Sequence, residues 1–183
     1  MPKSKSKLIK LKAPLTDKDV KSLKAGDKVL ISGIIYTARD AAHRIFQNKP
    51  PFKTEGAILY YASPTPTPKG KIIGSIGPTT STRMDPFTPA LLKQGVKITI
   101  GKGRRGKEVI TAMKKYKAAY MVVPGGTAAL MSRHIKKSTV IAYPDLGSEA
   151  ILALDVVDFP AIVAIDSKGK DLFEQGRKKY ASK

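Results

Sequence analysis

Apolar residues along this chain fall into short β-branched runs, separated by segments whose apolar positions recur every three or four residues. Residues 29–37 (VLISGIIYT) alternate as a half-buried strand does, and residues 57–62, 71–76, 96–100, 119–123, 139–143 and 161–165 read as short buried strands. Between them, a helix is predicted over residues 39–47, with Ala38, Ala41, Ala42, Ile45 and Phe46 on one stripe. A second over residues 107–118 aligns Val109, Ile110, Met113 and Tyr116, and a third follows Gly125-Gly126 over residues 126–136. A further helix begins between Pro86 and Pro89. This alternation predicts an α/β domain. Residues 64–70 (PTPTPKG) can be neither helix nor central strand, so they are expected to connect two strands across the surface, and residues 166–170 (DSKGK) read as a hairpin turn.

Composition narrows the classes. A chain of 183 residues, 42% of them apolar, is long enough for one folded core and too apolar for a disordered basic tail. It has no cysteine, which excludes a thiol nucleophile, a Cys-based zinc site and thiolate ligation of an iron–sulfur cluster by this chain. With only His43 and His134, an all-histidine metal site is not expected either. The basic start lacks the apolar core of a signal peptide, and the longest apolar run, residues 150–165, is broken by Asp155 and Asp158, so a soluble cytoplasmic protein is expected.

The formal charge of +20 is concentrated in three places: residues 1–28 carry a local excess of six, residues 102–117 six and residues 167–183 four. Ordinary surface and nucleic-acid binding both account for such stretches. The absence of tryptophan, an aromatic content of 7% and the lack of any recognisable nucleic-acid motif weigh against the second.

Three segments carry candidate chemistry. Residues 101–108 (GKGRRGKE) follow a predicted strand, precede a helix and match P-loop spacing except at the last position, where Glu108 replaces the hydroxyl that would hold Mg²⁺. They read as a small-anion site built around Lys102 or as an exposed basic turn. Residues 77–86 (GPTTSTRMDP) put four consecutive hydroxyls beside Arg83, whose guanidinium fork suits a carboxylate; the same residues could simply cap the next helix. Residues 38–43 (ARDAAH) place Arg39 and His43 four apart, with Asp40 a ready partner for Arg39. Arg39, the hydroxyl loop and Lys102 each follow the C-terminal end of a predicted strand, where α/β proteins build ligand sites. Together they fit a small dicarboxylate, with His43 and Asp85 the nearest proton-transfer candidates. On these residues alone the chain is a binding half-site.

At ARDAAH, Gly77-Pro78-Thr79-Thr80 through Arg83-Met84, Gly101-Lys102-Gly103, Pro124-Gly125-Gly126 with Ala128-Ala129-Leu130, and the stretch from DLGSEA (145–150) to DFPA (158–161), the sequence resembles the beta subunit of class I fumarate hydratase and of L(+)-tartrate dehydratase, equally the C-terminal domain of single-chain class I fumarases. The resemblance implies a three-layer swivelling β/β/α domain over residues 14–177, between a basic N-terminal segment (1–13) and a basic tail (178–183). It implies a hydro-lyase that interconverts fumarate and L-malate, or acts on tartrate or a related dicarboxylate. Its [4Fe-4S] cluster would be held by a separate alpha subunit, in a hetero-oligomer for which two alpha and two beta chains is one arrangement, and act there as a Lewis acid. By the same resemblance Arg39 and Arg83 clamp the substrate carboxylates, Thr80 and Lys102 add hydrogen bonds and charge, and Thr79 is the catalytic hydroxyl. No metal ligand is expected in this chain, and neither membrane nor nucleic acid is an expected partner.

Overall fold

The computed structural model describes residues 8–181. Strand β1 (Leu8–Lys12) leads into helix α1 (Asp17–Ser22), whose start is closed by a reciprocal capping box between Thr16 and Asp19. Strand β2 (Lys28–Thr37) follows, then α2 (Asp40–Phe46), β3 (Ile58–Tyr60), β4 (Ala62–Pro64) and β5 (Ile76–Pro78). After a 3-10 turn at Ser81–Met84 come α3 (Thr88–Lys93), β6 (Ile98–Gly101), α4 (Lys107–Tyr116), β7 (Ala119–Val122) and α5 (Ala128–Ser132). The chain ends with β8 (Ile135–Ala142), a 3-10 segment at Pro144–Glu149, the long β9 (Ile151–Ile165) and α6 (Leu172–Tyr180).

Strands β2, β3, β6 and β7 lie side by side in parallel, and β9 pairs antiparallel with both β7 and β2, closing the sheet into a barrel-like ring. The fifteen residues of β9 make this possible, since one end reaches β7 while the other pairs with β8. β1 adds in parallel to the outer part of β2. Side chains alternate across the ring wall. Ile58, Tyr60, Ile98, Ile100, Ala119 and Met121 point inward against Ile31, Ile35, Phe159 and Val163. Their neighbours Leu59, Tyr61 and Tyr120 point outward beneath Ala42 and Phe46 of α2, Leu91 and Leu92 of α3, and Val109 and Met113 of α4. Burial on both faces explains why these strands read as continuous apolar runs rather than alternating ones. At Gly33 (φ +101°) the register of β2 against β9 shifts, and a Cβ there would stand 2.9 Å from the Ala13 carbonyl oxygen.

The α/β class therefore holds, with several local differences. The run 57–62 splits, because β4 leaves the ring to pair with β5. Residues 71–75 form no strand; Gly74 lies so close to the Thr65 carbonyl that the segment folds back on residues 65–66, with Thr65 N donating to Ser75 O at 2.9 Å. Residues 139–143 belong to an exposed edge strand rather than a buried one, and Val140 is 53% exposed. The apolar run 150–165 is a strand, and no described helix is long and apolar enough to cross a membrane. Residues 166–170 do turn, organised by Asp166 accepting from the amides of Lys168 and Lys170, but a single bridge, Ile165 to Asp171, replaces the expected hairpin and α6 follows. The segment expected as a basic N-terminal extension contributes β1; its first seven residues lie outside the described ones, as do the last two of the basic tail.

Candidate functional site

Because β2, β3, β6 and β7 are parallel, their C-terminal ends share one rim of the ring, and Arg39, residues 61–63 and Lys102 follow directly from three of these ends. The antiparallel pair β4–β5 brings residues 79–81 to the same rim: Thr79 N donates to Tyr61 O at 2.6 Å, Lys102 N to Thr79 O at 3.2 Å, and Ser81 N to Lys102 O at 3.0 Å. Thr80 and Lys102 are thus bridged like neighbouring strand residues. Gly101 is required there, since any Cβ on it would collide with the Ser81 hydroxyl. Thr79 is half-buried, whereas Thr80, Arg83 and Lys102 are exposed. Among the described residues, the hydroxyls of Thr79 and Thr80 and the Lys102 ammonium make no hydrogen bond or ion pair.

Arg39 and Arg83 are joined by Asp40. Arg83 Nε donates to Asp40 Oδ1 at 2.8 Å, and Arg39 Nε stands 3.9 Å from Asp40 Oδ2, too far for a hydrogen bond, leaving both of those buried atoms without a partner. Arg39 Nη1 donates to Ser63 Oγ at 2.7 Å, and its Nη2 lies 3.4 Å from Glu149 Oε1. The other Glu149 oxygen accepts from the Ala41 amide at 3.1 Å, in the first turn of α2. Both arginines are therefore paired within the chain, and the two carboxylates leave Arg39, Arg83 and Lys102 with a local charge of about +1 rather than +3.

His43 does not join this set. It is fully buried among Phe46, Tyr61 and Phe87, and Nδ1 donates to the Arg39 carbonyl at 2.8 Å. Burial pushes its pKa down from 6.5 to about 4, against opposing contributions from the Arg39 carbonyl and Asp40, so the ring stays neutral near neutrality. Because the unfolded chain takes up this proton first, His43 favours folding above its unfolded pKa, and the benefit is lost as pH falls from 6.5 towards 4. The cost is about 2 kcal/mol between about pH 7 and pH 5. Urea unfolding at the two pH values should therefore show a smaller drop for His43→Phe than for the unsubstituted chain; equal drops would contradict this.

Asp85, the other proton-transfer candidate, is bound elsewhere: Oδ1 accepts from Arg105 Nε at 2.7 Å and Oδ2 from the Gly106 amide at 2.7 Å. This also removes the P-loop reading, since a carboxylate of the chain itself occupies the start of α4 where a phosphate would sit. Nor is the segment wholly an exposed basic turn, because Arg105 is buried. Gly125 and Gly126 are exposed, and a Cβ on either would meet nothing within 4 Å, so packing does not demand them; Gly126 serves its turn (φ +79°). Ser63, Glu149 and Arg105 were not among the candidate site residues, although Glu149 lies in DLGSEA and Arg105 in GKGRRGKE. The proximity of Glu149 to Arg39 arises only when the 3-10 segment Pro144–Glu149 packs beside α2. The described residues contain no group of three His, Cys, Asp or Glu able to hold a metal ion.

Comparison with known proteins bears on the same residues. The family model described as fumarase C-terminus matches residues 1–176. A Methanocaldococcus jannaschii protein with the provisional name L(+)-tartrate dehydratase subunit beta is 39% identical over 181 residues, covering 92% of this chain and 93% of its own length. Fumarate hydratase 2 of Leishmania major is 38% identical over 158 residues, 82% of this chain, and the aerobic class I fumarate hydratase of Salmonella typhimurium is 38% identical over 156 residues, 81% of this chain. The chain spans only 28% and 27% of those two fumarate hydratases. With nearly its whole length matched, this chain belongs to the fumarase C-terminus family.

Proposed function

We propose that the chain is the beta, non-cluster subunit of a class I iron–sulfur fumarate hydratase, a swivelling three-layer β/β/α domain that closes over fumarate or L-malate held against an alpha subunit. The observation that supports this most is the meeting of Arg39, Arg83, Thr79, Thr80 and Lys102 on one rim of the ring, joined by Asp40 and by the backbone bonds of Lys102 to Thr79 and Ser81. Arg39 and Arg83 bind the two substrate carboxylates. The pairing of Arg39 with Asp40 is loose, since Arg39 Nε and Asp40 Oδ2 remain unsatisfied at 3.9 Å, whereas Arg83 holds Asp40 at 2.8 Å through Nε and has its other N–H groups to offer. Lys102 and Thr80 add charge and a hydroxyl donor on the exposed side.

Thr79 takes the proton from the carbon next to the one that loses its hydroxyl, and returns it to that carbon in the hydration direction. An alkoxide there needs nearby cations, and the bonds of its backbone to Tyr61 and Lys102 hold the residue beside the Lys102 loop. Neither His43, buried and neutral, nor Asp85, paired with Arg105, is available for that proton. The donor set of this chain does not fit an iron–sulfur cluster: it has no cysteine. The cluster and its Lewis-acid chemistry therefore fall to the partner. Exclusion of water falls to it as well, because Thr80, Arg83 and Lys102 are exposed in this chain alone.

The same site serves a beta subunit of L(+)-tartrate dehydratase, a reading favoured by the M. jannaschii relative, which this chain covers over 93% of its length. Reconstitution of the chain with a cluster-loaded alpha subunit, followed by malate and tartrate turnover side by side, decides between them: faster malate turnover supports the fumarase reading, and faster tartrate turnover overturns it in favour of the second.

A further inference from the structure

Arg105 lies three residues beyond Lys102, and its side chain is completely enclosed. Besides the Nε bond to Asp85, Nη1 donates to Thr99 Oγ1 at 3.0 Å on β6 and Nη2 to Thr88 Oγ1 at 2.7 Å on α3. The guanidinium stands between two rings, 5.3 Å from the centroid of Tyr61 and 5.0 Å from that of Tyr120. Burial works against its charge, but Tyr61 and Asp85 more than offset this and the group stays cationic. A buried cation is a poor way to gain stability, since apolar side chains of similar volume often serve as well or better. What arginine adds is direction, several N–H groups fixed in one plane.

Asp85, Tyr120 and Tyr61 each lead from that plane to the candidate site. Asp85 ends the 3-10 turn that carries Arg83, and its second oxygen holds Gly106. The Tyr120 hydroxyl donates to Gly103 O at 2.9 Å and lies 2.9 Å from Ser81 Oγ, so it touches both loops at once. The Tyr61 hydroxyl meets Thr88 Oγ1 at 2.9 Å, while the Tyr61 carbonyl holds the Thr79 amide. We propose that Arg105 is a positioning residue that locks residues 79–85 and residues 101–106 onto one another, so that Thr79, Arg83 and Lys102 face a single substrate. Its catalytic consequence rests on the functional reading above; the locking itself does not.

The test uses Arg105→Lys, which keeps the charge but loses the planar fork, and Tyr120→Phe, which keeps the ring and removes only the hydroxyl. Amide exchange followed by NMR on the full chain should show protection at Ser81, Lys102 and Gly106 falling by about tenfold or more in Arg105→Lys, with β2 and β9 amides little changed. Tyr120→Phe, which leaves the guanidinium in place, should loosen Ser81 and Lys102 to a smaller extent. With the alpha subunit, Arg105→Lys should lower kcat for malate by about 10- to 100-fold while KM moves by less than about threefold, since proton transfer at Thr79 tolerates displacement less than carboxylate pairing does. Unchanged protection in both loops, or equal loss throughout the ring, overturns the proposal. If the unsubstituted pair turns over no four-carbon dicarboxylate, the functional reading fails, and the exchange pattern still decides whether Arg105 locks the loops.

Discussion

Arg83→Ala and Arg39→Ala should each remove nearly all turnover from the reconstituted pair. A guanidinium that holds a carboxylate in a closed site contributes about 3–5 kcal/mol when its removal leaves the partner charge unpaired, or roughly 10²–10⁴-fold in kcat/KM. The two variants should differ in their side effects. Arg83 is half exposed and, among the described residues, bonded only to Asp40, so its loss should leave the melting temperature nearly unchanged. Arg39 is more enclosed and joins Ser63, Glu149 and the start of α2, so its loss should also cost stability, leaving Glu149 without its cation. Steady-state kinetics and a thermal melt on each variant check both statements. Full activity in Arg83→Ala with an unchanged melt would remove the clamp assignment.

Thr79→Val should leave substrate binding nearly intact and lower kcat by about 10²–10⁴-fold, the range lost with a positioned proton-transfer group. Valine preserves the branched shape of this half-buried residue, and the backbone bonds to Tyr61 and Lys102 need no side chain. The hydroxyl alone is deleted. Thr79→Ser restores a hydroxyl and should recover most of the lost rate. If Thr79→Val instead raises KM at unchanged kcat, Thr79 binds substrate and the proton moves elsewhere.

The parts of this site that were legible in the sequence are those fixed by local pattern. β-branched runs marked the ring strands, and the residues just beyond them, Arg39 and Lys102, fell on the rim because parallel strands end together. What the sequence did not reveal depends on contacts between distant segments. Glu149 pairs with Arg39 only after the chain has wrapped from α2 through β8. In the pair Arg104-Arg105 nothing local marks which side chain turns inward; Arg105 does so because Asp85, Thr88 and Thr99 surround it, while Arg104 reaches Glu174 on α6 at the surface. The run 71–76 misled because its isoleucines resemble a strand, whereas close packing of Gly74 on Thr65 dictates a folded-back loop.

The charge of +20 takes on a different meaning in the folded chain. Near the candidate site it is largely offset by Asp40, Glu149 and Asp85, so on the proposed reading a substrate would meet a modest positive field with specific forks rather than a broad basic surface. Such a site suits a small dianion better than a nucleic-acid backbone.

The most direct measurement is the interconversion of fumarate and L-malate by the chain mixed with a cluster-loaded alpha subunit, beside each component alone. The account predicts turnover only in the mixture, at a rate that saturates as this chain is added and that Arg83→Ala abolishes. A stable, cluster-loaded complex of the two chains that turns over neither malate nor tartrate would contradict it.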